Sequence, residues 1–247
     1  MSRYALVPEL PPGEDELPTD DGVPMESWYH RTQMNILCDT LQHHWRDRHD
    51  FYIAGNQPLY FSAHQVKNND FLGPDVAIIL NTTDRPRKSW VVWYEERTPD
   101  VVIELLSPRT EANDRGPKMK IYASTLKVDE YYLYDPIDAE FEAYELQQGM
   151  YVAKTPDDEG RVFSRKLGLW LGPYDAVFGG ETVRFLRWFT PEGELLRTDR
   201  EDFDQASAAL EEQRARAAEA SALAEEQRAR AEAMAARLRA LGLDPEG

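Results

Sequence analysis

The sequence has a single cysteine, no long apolar run and too few basic residues to balance its acids. Cys38 stands alone among 247 residues, which excludes an intramolecular disulfide and a cysteine-based zinc site. No apolar run approaches the ~20 residues that a membrane-spanning helix needs. The acidic, proline-rich N-terminus also lacks the apolar segment of a signal peptide. These absences predict a cytoplasmic protein with no membrane partner.

The charge balance bears on nucleic-acid binding. The chain carries 28 Lys and Arg against 45 Asp and Glu, for a formal net charge of -17. Broad, non-specific adhesion to nucleic acid depends on neutralising phosphates with basic side chains, so the charge argues against it. A local basic groove or a metal-bridged contact is compatible with the same total.

Composition and pattern divide the chain into three parts. Residues 1–24 are acidic and rich in proline, which predicts a flexible arm. Residues 25–199 alternate strand and helix patterns, which predict one α/β (α+β) domain with a mixed, curved sheet and flanking helices. Residues 200–247 are rich in Ala, Glu and Arg, which predicts a long C-terminal helix.

Within the domain, apolar spacing predicts the individual elements. A first helix is expected from Met25 to Trp45 and a second from Glu111 to Leu126. The stretch "DVVIELL" is almost wholly apolar, as expected of a central strand that is covered on both faces. The stretch "FYIAGNQPLYF" is predicted to form two strands joined by a tight Gly-Asn turn. Further strands are predicted at "PDVAIIL", "EYYLYD", "FEAYEL" and "MYVAK", with a hairpin at "VRFLRWFTPEGELLRT" whose turn is "PEG".

The C-terminal part contains an internal repeat. "LEEQRARA" at Leu210 returns as "AEEQRARA" at Ala224, two heptads later. A seven-residue seam, Phe203, Leu210, Ala217, Ala224, Ala231 and Leu238, favours a coiled coil with a second copy of the chain. A single solvated helix, held by Glu–Arg pairs, is the alternative.

Two carboxylates accompany the most hydrophobic strands. Asp75 opens "PDVAIIL", and Glu104 lies inside "DVVIELL". If these strands pair, the two side chains converge as the oxygen ligands that Mg²⁺ and Mn²⁺ prefer. Two other interpretations remain open, because Asp75 could cap a strand or turn and Glu104 could form a buried salt bridge to an arginine.

A lysine follows on the predicted second helix. Asp114, Lys118 and Tyr122 are four residues apart, so they share one helical face. Lys118 could reach back over the end of the Glu104 strand, and the alternative is a solvated helix residue.

The motifs "GPDVAIIL", "TPDVVIELLSPRT", "NDRGPKMKIYAS" and "VDEYYLYDP" resemble those of the restriction-endonuclease-like PD-(D/E)xK superfamily. More narrowly, they are similar to those of the bacterial Uma-type family of restriction-endonuclease-like proteins. The resemblance covers roughly residues 25–146, with a looser match to about residue 189. One departure is that Leu106 stands where the superfamily has its lysine. The resemblance implies that Lys118 takes over this role.

What the resemblance implies is a metal-dependent endonuclease that hydrolyses phosphodiester bonds in nucleic acid, most simply DNA, with Mg²⁺ or Mn²⁺. Asp75, Glu104 and the Leu105 carbonyl would hold the metal, and Lys118 would complete the catalytic set. Lower-ranked site candidates are Glu26, Glu95, Asp100, Asp114 and Tyr122. Candidate nucleic-acid contacts are Arg109, Arg115 and Lys120. The alternative function is a catalytically silent nuclease-fold binding or scaffold module that associates with partners through its C-terminal coiled coil. For the endonuclease, the C-terminal helix would join copies of the chain, most simply as a dimer.

Overall fold

The computed structural model describes residues 13–17, 27–62, 71–178 and 180–240. Its two helices before the central strand are α1 (Trp28–His44) and α2 (Val92–Glu95). The strands are β1 (Phe51–Gly55), β2 (Leu59–Tyr60), β3 (Phe71–Leu72), β4 (Val76–Leu80), β5 (Trp90–Val91), β6 (Val101–Leu105), β7 (Glu130–Tyr134), β8 (Phe141–Gln147), β9 (Met150–Ala153), β10 (Val162–Ser164), β11 (Leu169–Phe178) and β12 (Glu181–Phe189).

The largest sheet has six strands in the order β1-β4-β6-β7-β8-β9. Only the β6–β7 pair is parallel, and the other neighbours are antiparallel. All five residues of β6 are buried, as its unbroken apolar sequence predicts. The predicted mixed α+β architecture with a central "DVVIELL" strand is therefore confirmed.

Alternation along the strands divides the core into two layers. Ile78, Ile103 and Leu105 face one side, where α1 and the β10–β12 sheet cover them. Ala77 and Val102 face the other side. The helical stretch between β6 and β7 packs on that second side, so β6 side chains that point to this side lie between the sheet and the helix.

The helical stretch, residues 111–126, contains two π-helical segments and is called here the π-bulged helix. The π segments are Asp114–Lys118 and Tyr122–Leu126, and short α-helical turns precede each of them. Pro117 lies inside the first segment and cannot donate a backbone hydrogen bond there. Lys127, with φ of 55°, ends the helix in the left-handed region. The predicted helix from Glu111 to Leu126 is confirmed, with bulges that its sequence pattern did not reveal.

Two predictions about strand pairing were wrong. The strands in "FYIAGNQPLYF" do not form a hairpin, because β1 pairs with β4 whereas β2 joins β3 and β5 in a small separate sheet. The main hairpin near the end of the domain is β11–β12, in a three-stranded sheet with β10. The turn at "PEG" exists, but only a single bridge, between Phe189 and Leu195, follows it.

Helix α1 is fixed to β12 by one buried amide. Gln33 Nε2 donates to the Leu186 carbonyl at 2.8 Å, and Leu186 N donates to Gln33 Oε1 at 2.9 Å. The side chain thus satisfies both backbone groups of a residue on the outer edge of β12, the last strand of its sheet. Trp188 Nε1 adds a hydrogen bond to the Leu37 carbonyl of α1 at 3.2 Å.

Residues 13–17 pack against the domain. Leu17 is buried with Tyr60 and Val91, and Lys88 Nζ lies 2.5 Å from Asp15 Oδ1. This short part of the predicted arm is therefore held in place, and the rest of residues 1–24 lies outside the described residues. Contacts divide the whole chain into a unit ending at Thr198 and a unit beginning at Asp199.

The second unit contains one helix, Asp199–Ala240, which is called here the C-terminal helix and has no buried residue. Arg216 and Arg230 each pair with a glutamate one turn earlier, Glu212 and Glu226. In the part of the chain that the structure describes, no helix is both long and apolar enough to cross a membrane.

Candidate active site

Asp75 and Glu104 meet where β4 begins and β6 ends. Val76 pairs with Ile103, and continuing this antiparallel register by one residue places Asp75 opposite Glu104. Leu105 N donates to Asp75 Oδ2 at 2.7 Å, and Asp75 N lies 3.4 Å from Glu104 Oε2. Side chains of directly opposed residues have Cβ atoms about 5 Å apart. The convergence expected from the sequence is therefore present.

Lys118 and Tyr122 of the π-bulged helix close over Glu104. Lys118 Nζ lies 3.1 Å from Glu104 Oε2, and the Tyr122 hydroxyl donates to Glu104 Oε1 at 2.9 Å. Lys118 Nζ also lies 3.0 Å from Asp114 Oδ1, as an ion pair without hydrogen-bond alignment. The predicted helical face thus does reach the end of the strand. Two carboxylates thus contact one ammonium group, and Asp75 interacts with it electrostatically.

Burial sets the protonation of this cluster. Desolvation raises the pKa of Glu104 to about 8, against the opposing effect of the Lys118 charge. Burial also raises the pKa of Asp75, although the bond from Leu105 N opposes the shift. Burial would lower the pKa of Lys118, but its carboxylate neighbours outweigh that effect and raise it. Near neutral pH the site therefore favours a charged Lys118 beside a protonated Glu104 carboxyl.

His30 is a site neighbour that sequence reasoning missed. Its Nε2 lies 3.1 Å from the Leu106 carbonyl, and its Nδ1 lies 2.8 Å from Ser27 Oγ. A carbonyl only accepts, so Nε2 carries a proton. His30 joins the first turn of α1 to the end of β6, and its charge, when present, favours the ionised form of Asp75. A lone histidine in an amphipathic helix gave no signal for this contact.

The lower-ranked candidates have different places. Asp114 and Tyr122 join the cluster, whereas Asp100 lies at the opposite end of β6, where its Oδ2 accepts from Leu80 N at 2.8 Å. Glu95 is bound instead by Arg85 and Arg87, so the structure does not bring it to the Asp75–Glu104 pair. Glu26 lies outside the described residues.

Of the three basic residues predicted to contact nucleic acid, two are exposed and one is already paired with carboxylates. Arg109 and Lys120 are exposed. Arg115 is held by Glu142 and by Glu111, with its Nε 2.8 Å from Glu111 Oε1. A phosphate would have to displace these carboxylates before it could bind Arg115.

The donor set narrows the kind of metal that the site could hold. Among the residues with described positions, no group of three or more His, Cys, Asp or Glu side chains is arranged for a metal ion. A zinc-type cage is therefore not formed by them. Two carboxylates on rigid strands are nevertheless the kind of partial ligand set that Mg²⁺ accepts, because this ion keeps several of its waters.

The fold and the site define a mixed α+β protein. Its acidic pair meets at the ends of two inner strands, β4 and β6, of the six-stranded sheet, and a helix lysine contacts that pair. The model of the Uma2 family, described as "Putative restriction endonuclease", matches residues 18–172, which is more than half of the chain. The chain belongs to this family, and the resemblance seen in its motifs is confirmed.

Two individual proteins are also similar. The uncharacterized protein slr1290 of Synechocystis sp. is 32% identical over 90 residues, or 36% of this chain, and the match spans only 44% of that protein's length. The crystal structure of "a putative nuclease belonging to DUF820" from Anabaena variabilis is 14% identical, with a TM-score of 0.43 over 58% of this chain and 75% of that one. This structural likeness is weak.

Proposed function

We propose that the protein is a Mg²⁺- or Mn²⁺-dependent endonuclease that hydrolyses phosphodiester bonds in DNA. The observation that carries the proposal is the opposition of Asp75 and Glu104 on adjacent strands, with Lys118 3.1 Å from Glu104. Membership in a family described as "Putative restriction endonuclease" supports the reaction type.

In this proposal each residue has a distinct task. Asp75 and Glu104 hold the ion, assisted by the Leu105 carbonyl, which lies on the same strand edge as the Leu105 N–H that donates to Asp75. A bound Mg²⁺ would lower the pKa of an attacking water. Lys118 stays protonated and offsets charge that builds on the attacked phosphate. Tyr122 orients Glu104 through its hydrogen bond.

The direct test is cleavage by purified protein of supercoiled plasmid, linear duplex, single strands and RNA, with Mg²⁺, Mn²⁺ or EDTA. We expect cleavage of DNA that EDTA abolishes. The alternative, a catalytically silent scaffold, predicts no cleavage of any substrate and no binding of Mn²⁺ by calorimetry.

The raised pKa of Glu104 predicts that metal affinity depends on pH. Below pH 8 the buried carboxyl carries a proton that the ion must displace, so Mn²⁺ affinity should rise about tenfold per pH unit and level off above pH 8. Calorimetry from pH 6 to 9, in buffers of differing ionisation enthalpy, measures affinity and proton release together. Glu104→Gln should bind weakly without this pH dependence. Constant wild-type affinity across the range would contradict the prediction.

We also propose that the C-terminal helix joins two copies of the chain through its heptad seam. Phe203 and Leu210 of the seam are 69% and 48% exposed, and no residue of this helix is buried. Parallel or antiparallel pairing would cover the seam while leaving the Glu–Arg pairs in solvent.

Charge placed on the seam should separate the copies. We expect Leu210→Glu to weaken self-association at least tenfold, because a carboxylate would be buried in the apolar seam. Leu223→Glu is the matched control, since Leu223 is equally apolar and 56% exposed but lies outside the seam. Sedimentation equilibrium measures both. A monomeric wild type would leave the single-helix alternative, and equal weakening by the two variants would contradict the assignment of the interface to the seam.

A further inference from the structure

An aromatic cluster is exposed at the end of the domain where α1 begins. It consists of Trp28, Tyr29 and Phe178, called here the aromatic patch. The Trp28 ring centroid lies 5.0 Å from that of Phe178 and 5.1 Å from that of Tyr29. These three side chains are 38% to 51% exposed, and Val177 beside Phe178 is 77% exposed. Large rings exposed together mark an interaction surface more often than scattered apolar residues do.

Two sets of contacts connect the patch with the acidic site. Trp28 lies two residues before His30 in α1, and His30 Nε2 lies 3.1 Å from the Leu106 carbonyl just beyond Glu104. The hydrogen bonds of Gln33 to Leu186 hold α1 along β12, so the start of the helix and the tip of the β11–β12 hairpin meet at one end. The first turn of α1 therefore carries both Trp28 of the patch and His30, which contacts the end of β6.

We propose that the aromatic patch stacks on unpaired bases of the nucleic-acid strand that enters the acidic site. This inference rests on the proposed function and names its substrate as a strand whose bases are locally unstacked. Aromatic side chains hold such bases with little sequence preference, because every base presents a π face.

The charge of the protein makes stacking the more important contribution. With a net charge of -17, and with Arg115 already bound by Glu111 and Glu142, the candidate phosphate contacts that remain are the exposed Arg109 and Lys120. Counterion release can then supply little affinity, so the binding constant should fall only slowly with salt. Stacking on exposed rings supplies attraction that does not depend on neutralising phosphates.

The test is binding of a fluorescein-labelled 16-nucleotide single strand and the matching duplex, measured by anisotropy in EDTA so that nothing is cleaved. We expect the single strand to bind more tightly and to quench tryptophan fluorescence. Trp28→Leu and Phe178→Leu should each weaken binding about 5- to 100-fold, because leucine keeps the apolar character but removes the π face. Phe178→Tyr keeps an aromatic ring at this position and should bind as tightly as the wild type. Tyr94→Ala, at a 70% exposed tyrosine outside the patch, is the control for a ring lost elsewhere.

Several results would overturn the proposal. They are unchanged affinity in both leucine variants, equal loss in Tyr94→Ala, or no binding by the wild type. Dissociation of a dimer by Phe178→Leu, without loss of nucleic-acid affinity, would assign the patch to a second copy instead. The two proposals can fail separately. Ring-dependent binding without metal-dependent cleavage would support the stacking surface and contradict the nuclease function. Metal-dependent cleavage that the leucine variants do not affect would support the nuclease function and contradict the stacking surface.

Discussion

Replacing either strand carboxylate with its amide is expected to lower metal-dependent DNA cleavage by about 10²–10³-fold. Asp75→Asn and Glu104→Gln keep the size and hydrogen-bonding reach of the side chains. In Asp75→Asn the amide oxygen could still accept from Leu105 N, which now donates to Asp75 at 2.7 Å. The neutral amide of Glu104→Gln resembles the protonated carboxyl that burial already favours. Both variants should therefore fold, and their loss should lie in metal binding and in the cleavage step.

The chain offers a matched control for these substitutions. Glu130 in β7 is another buried glutamate with a lysine partner, because Lys154 Nζ lies 3.0 Å from its Oε1. Tyr132, Ser164 and the backbone N–H of Arg165 complete its hydrogen bonds. Glu130→Gln should leave cleavage by the folded protein unchanged. Plasmid cleavage rates with Mn²⁺, together with calorimetry, would decide the matter, and near-wild-type cleavage by Glu104→Gln would contradict the assigned role.

The acidic site was predictable because its residues stand at fixed points of strong patterns. Glu104 interrupts an apolar strand, where an unpartnered carboxylate would be costly, and Asp75 opens a second strand. Antiparallel pairing of those strands was the one condition needed to bring them together. Asp114, Lys118 and Tyr122 kept their shared face through the π bulges. His30 could not be predicted in the same way, because its contact with Leu106 spans 76 residues and depends on the packing of α1.

The β11 strand was missed for a local reason. Pro173 and the preceding Gly172 break the strand pattern, and proline is expected only where no ladder donor is needed. In the structure β10 pairs with β11 only as far as Leu171, so Pro173 lies beyond its reach. Its partner Leu186 turns both backbone groups to Gln33, so this pair needs no hydrogen bond from proline. A tertiary contact from α1 thus allows a residue that sequence rules place outside strands.

The second large effect concerns stability, and it distinguishes the roles of Lys118 and Lys154, the two lysines that pair with buried glutamates. Lys154→Met is expected to lower the free energy of unfolding by about 3–5 kcal/mol, because Glu130 would remain buried without its counter-charge. The methionine keeps most of the volume, so little of the loss should come from a cavity. Urea denaturation followed by circular dichroism measures it. A loss below about 1 kcal/mol would mean that Tyr132, Ser164 and the Arg165 N–H satisfy Glu130 without the lysine.

A double-mutant cycle then assigns the loss to the pair. Adding Glu130→Gln to Lys154→Met removes the unpaired charge while keeping donors near the amide, so the double variant should be more stable than Lys154→Met alone, with a coupling of about 1–3 kcal/mol. Cleavage by the folded fraction should stay at the wild-type rate throughout. Lys118→Met should instead lower cleavage. At Glu104 its cost in stability should be small, because burial already favours the protonated form of that carboxyl, and the remaining cost should come from Asp114, which also loses its ion pair. Similar glutamate–lysine pairs would thus separate into one that stabilises the sheet and one that serves the acidic site.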